Sequence, residues 1–302
     1  MALLFPPQIV PSVMRVIAES IARADGSLRD VDALARALAP GDFGHERAGV
    51  VRDSFAALRT LELVTAGEDG LELSDPLRSS VERGRLSRPV WREILVSSVF
   101  EHPSAMRSVT ATEDRAQGVR DLVFGLTWLL AQDAAGPLLA WNASEGAAGV
   151  QVLQARQAGR NQSLWPFSND TRYRTVERWA VALGVAVAEP GGLRPLPAEA
   201  LRPVVQRFGE GEWPVMEFCD RIALELPILW RGAYRSDLIT RFGSDPDPDV
   251  NAGGVDSSVA LALMVLEEER LIRLRALPDV ERIEFGAGTT NPRSVSHVEV
   301  VE

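Results

Sequence analysis

Three times along this chain, stretches with helical spacing of apolar residues run into two short apolar segments parted by a turn, and this recurrence limits the available folds more than any single motif. The first instance is the fullest. Val13, Val16, Ile17, Ser20 and Ile21 predict a helix over 11–24, with Pro11 at its start and Asp25-Gly26 at its stop. Leu28, Val31, Leu34, Ala35 and Leu38 give a second stripe, ended by Pro40-Gly41. A third helix runs from about His45 to Thr60, with Val51, Phe55, Leu58 and Leu61 along one side. The period then changes. LELVTAGEDGLELSD reads as two strands around Gly67-Glu68-Asp69-Gly70, a hairpin signal. Three helices followed by a hairpin is the order of a winged helix-turn-helix domain, whose third helix is the one presented to a DNA groove.

The order returns twice. Leu122, Val123, Leu126, Leu129 and Leu130 predict a helix over 119–133, and a short second helix falls in 151–160. Asn169 caps the next helix, with Asp170 in its first turn, and GVAVAEPGGLRPLP supplies the hairpin. In the last third, helices are expected over 213–229 and 234–242, with a third capped by Asp256 or Ser257. LIRLRAL and VERIEF then read as a hairpin around Pro278-Asp279, and HVEVVE as an edge strand. The expected fold is mainly α with small β-hairpins, built as tandem winged helix-turn-helix domains. They occupy 1–90, 119–208 and 209–302, with 91–118 as a helical connector.

Charge singles out the middle unit. Residues 1–90 hold 11 Arg against 13 Asp and Glu, residues 91–208 hold 12 against 11, and residues 209–302 hold 9 against 18, within a net charge of -10. The stretch RQAGRNQSLWPFSNDTRYRTVERWAVAL concentrates five arginines beside amides and aromatic rings, which suits a surface that meets phosphate. On the third helix of this unit, Tyr173, Val176, Trp179, Ala180 and Leu183 share an apolar face. The DNA-facing candidates are Arg160, Thr171, Arg172, Arg174, Thr175 and Arg178, joined by Arg52 on the third helix of the first unit. An amphipathic helix with a solvated basic face is the plainer reading of the same residues. In the acidic last unit, Glu267, Glu268 and Glu269 close the corresponding helix. A solvated helix end is the plainer reading of these residues, and a protein interface, rather than DNA, is the functional one.

Other chemistry is poorly represented. No run of 18 apolar residues exists, so no transmembrane helix is expected, and the N-terminus lacks the basic region of a signal peptide. A cytoplasmic protein follows. All 32 basic residues are arginine, which removes lysine Schiff-base and P-loop chemistry. Cys219 stands alone, and His45, His102 and His297 lie far apart, so no zinc site is expected. Asp245, Asp247, Asp249 and Asn251 alternate like a calcium loop, but Val250 and Asp256 stand where that loop needs Gly and Glu, and a polar loop is expected instead. No hydrolase, zincin or Walker pattern appears, so the chain reads as non-enzymatic and without a cofactor.

The sequence LLFPPQIVPSVMRVI leads into HERAGVVRDSFAALRTLELVTAGEDGLEL, then the Trp/Arg-rich RNQSLWPFSNDTRYRTVERWAVALGV, then an acidic end, within 302 residues. This layout resembles the DpdG family, accessory proteins of bacterial gene clusters that place 7-deazaguanine derivatives in DNA and restrict unmodified DNA. The resemblance implies a non-catalytic part of an anti-phage modification–restriction system, working with helicase or ATPase partners. Two other readings share the architecture. One is a winged-helix adaptor, a homodimer, that bridges an SMC-type or helicase ATPase. The other is a transcriptional repressor.

Overall fold

The computed structural model describes residues 3–4, 8–24, 26–39, 44–67 (main chain alone at 44–46), 70–105, 119–159, 165–286 and 291–301. Helices dominate, and the strands are three or four residues long. Helix α1 (Pro11–Ala24) begins on a proline, whose missing N–H costs nothing in a first turn. It buries Met14, Ile17, Ala18 and Ile21. Helix α2 (Val31–Leu38) is capped by the Asp30 carboxylate, which accepts from Ala33 N at 2.6 Å. Helix α3 (Gly44–Thr60) follows, and strands β1 (Val64–Ala66) and β2 (Leu71–Leu73) pair antiparallel. Helices α4 (Asp75–Ser79) and α5 (Arg88–Phe100) lead away from this unit.

Helix α6 (Arg120–Leu130) is buried at every residue but Asp121, so it forms the axis of the middle region. Then come β3 (Leu138–Ala140), β4 (Ala147–Gly149), α7 (Val150–Ala158), α8 (Asp170–Leu183), β5 (Ala186–Glu189) and β6 (Gly192–Pro195). These strands form a four-stranded sheet in the order β4-β3-β6-β5, with β3 and β4 parallel. Helix α9 (Ala198–Phe208) precedes β7 (Gly211–Pro214), α10 (Val215–Glu225), α11 (Ala233–Phe242), α12 (Pro248–Asn251) and α13 (Ser257–Glu268). Strands β8 (Ile272–Arg275), β9 (Ile283–Phe285), β10 (Arg293–Val295) and β11 (His297–Val300) complete the chain's described elements.

One local device occurs three times. Helices α3, α8 and α13 each end at a left-handed residue that turns the chain into a strand: Glu62 at φ 58°, Gly184 at 72° and Arg270 at 65°. The next N–H closes the same six-residue loop each time, from Leu63 to Leu58 O (2.9 Å), Val185 to Ala180 O (2.9 Å) and Leu271 to Leu266 O (3.0 Å). In the first two units the segment between the first two helices also bonds to a hairpin strand: Leu71 N donates to Leu28 O at 2.9 Å, and Leu139 pairs with Leu193. In the last unit the strand that precedes its first helix, β7, pairs with β11. Gly70 is required for the first of these, because a Cβ there would lie 2.7 Å from Leu28 O.

The last third departs from its expected form. Trp213 stands on strand β7 rather than in a helix, because its segment pairs with 297–300. The β8 and β9 segments do not pair with each other. β8 pairs with β11, and β9 pairs with β10. The stretch 297–300 is therefore the centre of the sheet β7-β11-β8 and not its edge. Buried side chains from Leu3 to Val300 form one connected cluster that crosses the expected unit boundaries. Polar contacts cross them too: Trp91 Nε1 donates to Pro11 O (3.2 Å), Tyr234 OH to Phe100 O (3.2 Å) and Ala134 N to Ser257 Oγ (2.8 Å).

Candidate nucleic-acid interface

Helix α8 is held by its inner face. Asn169 Oδ1 accepts from Arg172 N at 3.0 Å and fixes its start, and Gly184 ends it. Tyr173, Val176, Trp179, Ala180 and Leu183 are buried, as the apolar spacing required. The Tyr173 hydroxyl donates to Leu139 O at 2.8 Å, which ties the helix to β3. Its ring meets Phe167 edge-on at 5.4 Å, and Phe167 meets Trp128 likewise at 5.5 Å. The Gln154 amide brackets the Phe167 main chain, donating to its carbonyl at 2.9 Å and accepting from its N–H at 3.2 Å. Gly125 lets α6 approach, since a Cβ there would lie 2.8 Å from Phe167 and 3.1 Å from Val176. These contacts leave α8 with a fixed orientation.

The outer face is narrower than the sequence suggested. Thr171, Arg174 and Arg178 are exposed and spaced as one helical stripe. Arg174 Nε reaches Asp170 at 3.0 Å, and the contact raises its already high pKa. Arg172 is half-buried and lies 3.7 Å from Asp121 on α6. Thr175 corrects the expectation of an exposed position. It is buried, and its hydroxyl donates to Thr171 O at 3.0 Å, because α8 is covered on a wider arc than its apolar stripe alone. Arg160 lies outside the described residues. Arg52 is exposed on α3, where it pairs with Asp32 of α2 at 2.9 Å. Burial lifts the Glu177 carboxyl above its ordinary range, with Arg174 acting against that shift.

The acidic end of α13 is mostly engaged within the chain. Glu267 accepts from Leu274 N at 2.9 Å and pairs with Arg293. These contacts hold its carboxyl below the usual range, the Arg293 hydrogen bond contributing most. Glu269 takes both ends of the Arg202 guanidinium, at 2.6 and 3.1 Å. Glu268 is exposed. The polar segment over 245–251 has its aspartates turned inward, and 248–251 form the short helix α12. Asp245, Asp247, Asp249 and Asp256 are all buried, and so is Arg235, 1% exposed. Arg235 donates to Asp245 at 2.9 and 2.6 Å and to Asp256 at 2.7 Å. Among the described residues no cluster has the make-up of a metal site.

Sequence reasoning missed a group of arginines that only tertiary structure assembles. Arg15 of α1, Arg88 and Arg92 of α5 and Arg178 of α8 line one cleft of about 710 Å³, with the β5–β6 hairpin as its other wall. Arg88 and Arg92 are one turn apart on α5, but no local pattern links them to Arg15 or Arg178. No helix among the described residues is long and apolar enough to cross a membrane. Neither a curated protein nor a solved structure matches the chain. The DpdG-like family model matches residues 1–280, and the chain belongs to that family.

Proposed function

We propose that the chain is a non-catalytic, DNA-engaging accessory subunit of a bacterial anti-phage modification–restriction system, built of winged-helix units and working in the cytoplasm with helicase or ATPase partners. The outer stripe of α8 carries this reading: Thr171, Arg174 and Arg178 project from a helix whose opposite face is anchored in the core. A fixed basic helix positions its arginines on phosphate without first having to be ordered. The winged reading is supported by the repeated order of helices and hairpin, with the segment between the first two helices bonded to a hairpin strand. The family suggests an accessory role in a DpdG-type cluster.

The test is duplex affinity as a function of salt. Each phosphate contact contributes about 0.9 to the log-log slope, so Arg174→Ala with Arg178→Ala should remove about 1.8. A parent protein without duplex affinity, or an unchanged slope, overturns the assignment. A second reading, a protein adaptor, draws on the acidic residues 209–302, which hold 9 Arg against 18 Asp and Glu. Since Glu267 and Glu269 are engaged internally, Glu268 is the residue of that trio left to meet a basic partner, and Glu268→Gln is the variant to compare in co-purification with an ATPase.

A further inference from the structure

The turn that joins α4 to α5 presents positive charge that its surroundings leave unmatched. Arg83, Arg85 and Arg88 are exposed, and Glu82 is the one acidic residue between 80 and 91. Neighbouring arginines are engaged: Arg23 pairs with Glu19 at 3.0 Å and Arg78 with Glu72 at 3.6 Å. Arg83, Arg85 and Arg88 form no ion pair among the described residues. Glu82 and Arg85 close the turn through two main-chain hydrogen bonds, of 3.0 and 2.9 Å. Between them Arg83 and Gly84 are both left-handed, at φ 49° and 74°, the pattern of a type I′ turn. Helix α1 clamps this turn. Arg23 Nε donates to Gly84 O at 2.9 Å, Leu86 N donates to Glu19 at 3.1 Å, and a Cβ on Gly84 would lie 2.5 Å from Arg23 Cγ. The first central position of such a turn favours Asn, Asp or Gly, and a long side chain there is strained. Strain kept at a rigid, exposed tip, where a smaller residue would relieve it, points to a use for the guanidinium.

We propose that this turn is a second nucleic-acid contact, with Arg83 and Arg85 each meeting one phosphate of a duplex that also lies on α8, a role that depends on the duplex engagement inferred above. Arg88, in the first turn of α5, borders the same cleft as Arg178 of α8, so the turn and the outer stripe of α8 flank one opening. A guanidinium without an internal carboxylate meets phosphate without giving up a partner. The closed turn fixes both charges, so little ordering cost is left to binding. An acidic protein segment is the other macromolecule such charges attract, and the position beside the α8 stripe favours the duplex.

The test is the affinity of the full chain for a mixed-sequence duplex as a function of salt. Arg83→Asn should lower the log-log slope by about 0.9, and Arg83→Asn with Arg85→Ala by about 1.8. Arg83→Lys keeps the charge and should keep the slope. Asparagine suits the left-handed position better than arginine, so Arg83→Asn should unfold at the same urea concentration as the parent or a higher one, which separates a lost contact from a lost fold. Arg282→Ala, in the acidic last third, should leave the slope unchanged. The proposal falls if the double variant keeps the parent's slope, or if Arg83→Lys loses as much as Arg83→Asn. It falls also if the turn variants keep duplex binding and lose co-purification with an ATPase, which would mark a surface for an acidic protein. A slope lowered by the turn variants but not by Arg174→Ala with Arg178→Ala overturns the α8 assignment and leaves this one standing. The reverse overturns the turn alone, and a parent without duplex affinity overturns both.

Discussion

The three left-handed turns give a graded perturbation of one device. At Gly184, an alanine would meet two penalties. The left-handed conformation costs an L-residue about 1–2 kcal/mol. Its Cβ would also lie 2.7 Å from Glu199 Cβ and 2.9 Å from Arg92 Cδ, closer than such atoms approach without displacement. Overpacking of this kind costs about 1–3 kcal/mol, so Gly184→Ala should destabilise by about 2–5 kcal/mol in total. At Glu62 and Arg270 the penalty is already present in the parent. Replacing either by glycine removes about 1–2 kcal/mol of strain and adds about 0.5–1 kcal/mol of unfolded-state entropy, a net gain of roughly 0.5–1 kcal/mol. Urea unfolding followed by circular dichroism reads all three, with a shifted midpoint and an unchanged slope for a change in stability alone. A parent-like midpoint for Gly184→Ala, or a lower one for Glu62→Gly and Arg270→Gly, would refute the reasoning.

Two further predictions concern the buried network around Arg235. Arg235→Met leaves Asp245 and Asp256 buried without their cation and should cost about 3–5 kcal/mol in urea unfolding, and a loss under about 1 kcal/mol would contradict the ion-pair assignment. Burial first, and the neighbouring Asp256 charge second, raise the Asp247 carboxyl from 3.8 to about 7. The folded chain therefore holds this proton more tightly than the unfolded chain. Its stabilising contribution is fully present below about pH 4 and is lost as pH rises through about 7. Calorimetric melting should accordingly occur at lower temperature at about pH 8 than at about pH 5, and a rise over that interval would count against it.

Local signals made part of this fold legible. Helix α1 occupies 11–24 as its apolar spacing and flanking Pro11 and Gly26 required, and the Asn169 cap forms as read. The first two hairpins form around their glycine turns. Features held by distant partners were not legible. The β3–β4 pair runs through Ala147, Ala148 and Gly149, residues with little strand preference, and is held by tertiary packing. Thr175 lies just off the apolar stripe of α8, and only the packing around that helix explains its burial. The DPDPDVN segment is polar in composition, yet its three aspartates are buried, with Arg235, outside the segment, pairing with Asp245 and with Asp256 beyond it. Of the candidate site, the α8 stripe could be read from one helical period. The Arg15, Arg88 and Arg92 wall could not, since three turns of two different helices supply it.

Strand β11 imposes an order of events on synthesis. Strands β7 and β8 both hydrogen-bond to it, and neither pairs with the other. Residue 214 leaves the ribosome roughly eighty residues before residue 297, an interval on the order of ten seconds at typical elongation rates. During that time the β7 strand with Trp213 has no β11 beside it, while the earlier hairpins, whose strands are sequence neighbours, can already close. The acidic region is thus the part whose sheet depends on residues 297–300, and the slowest step of folding should lie there.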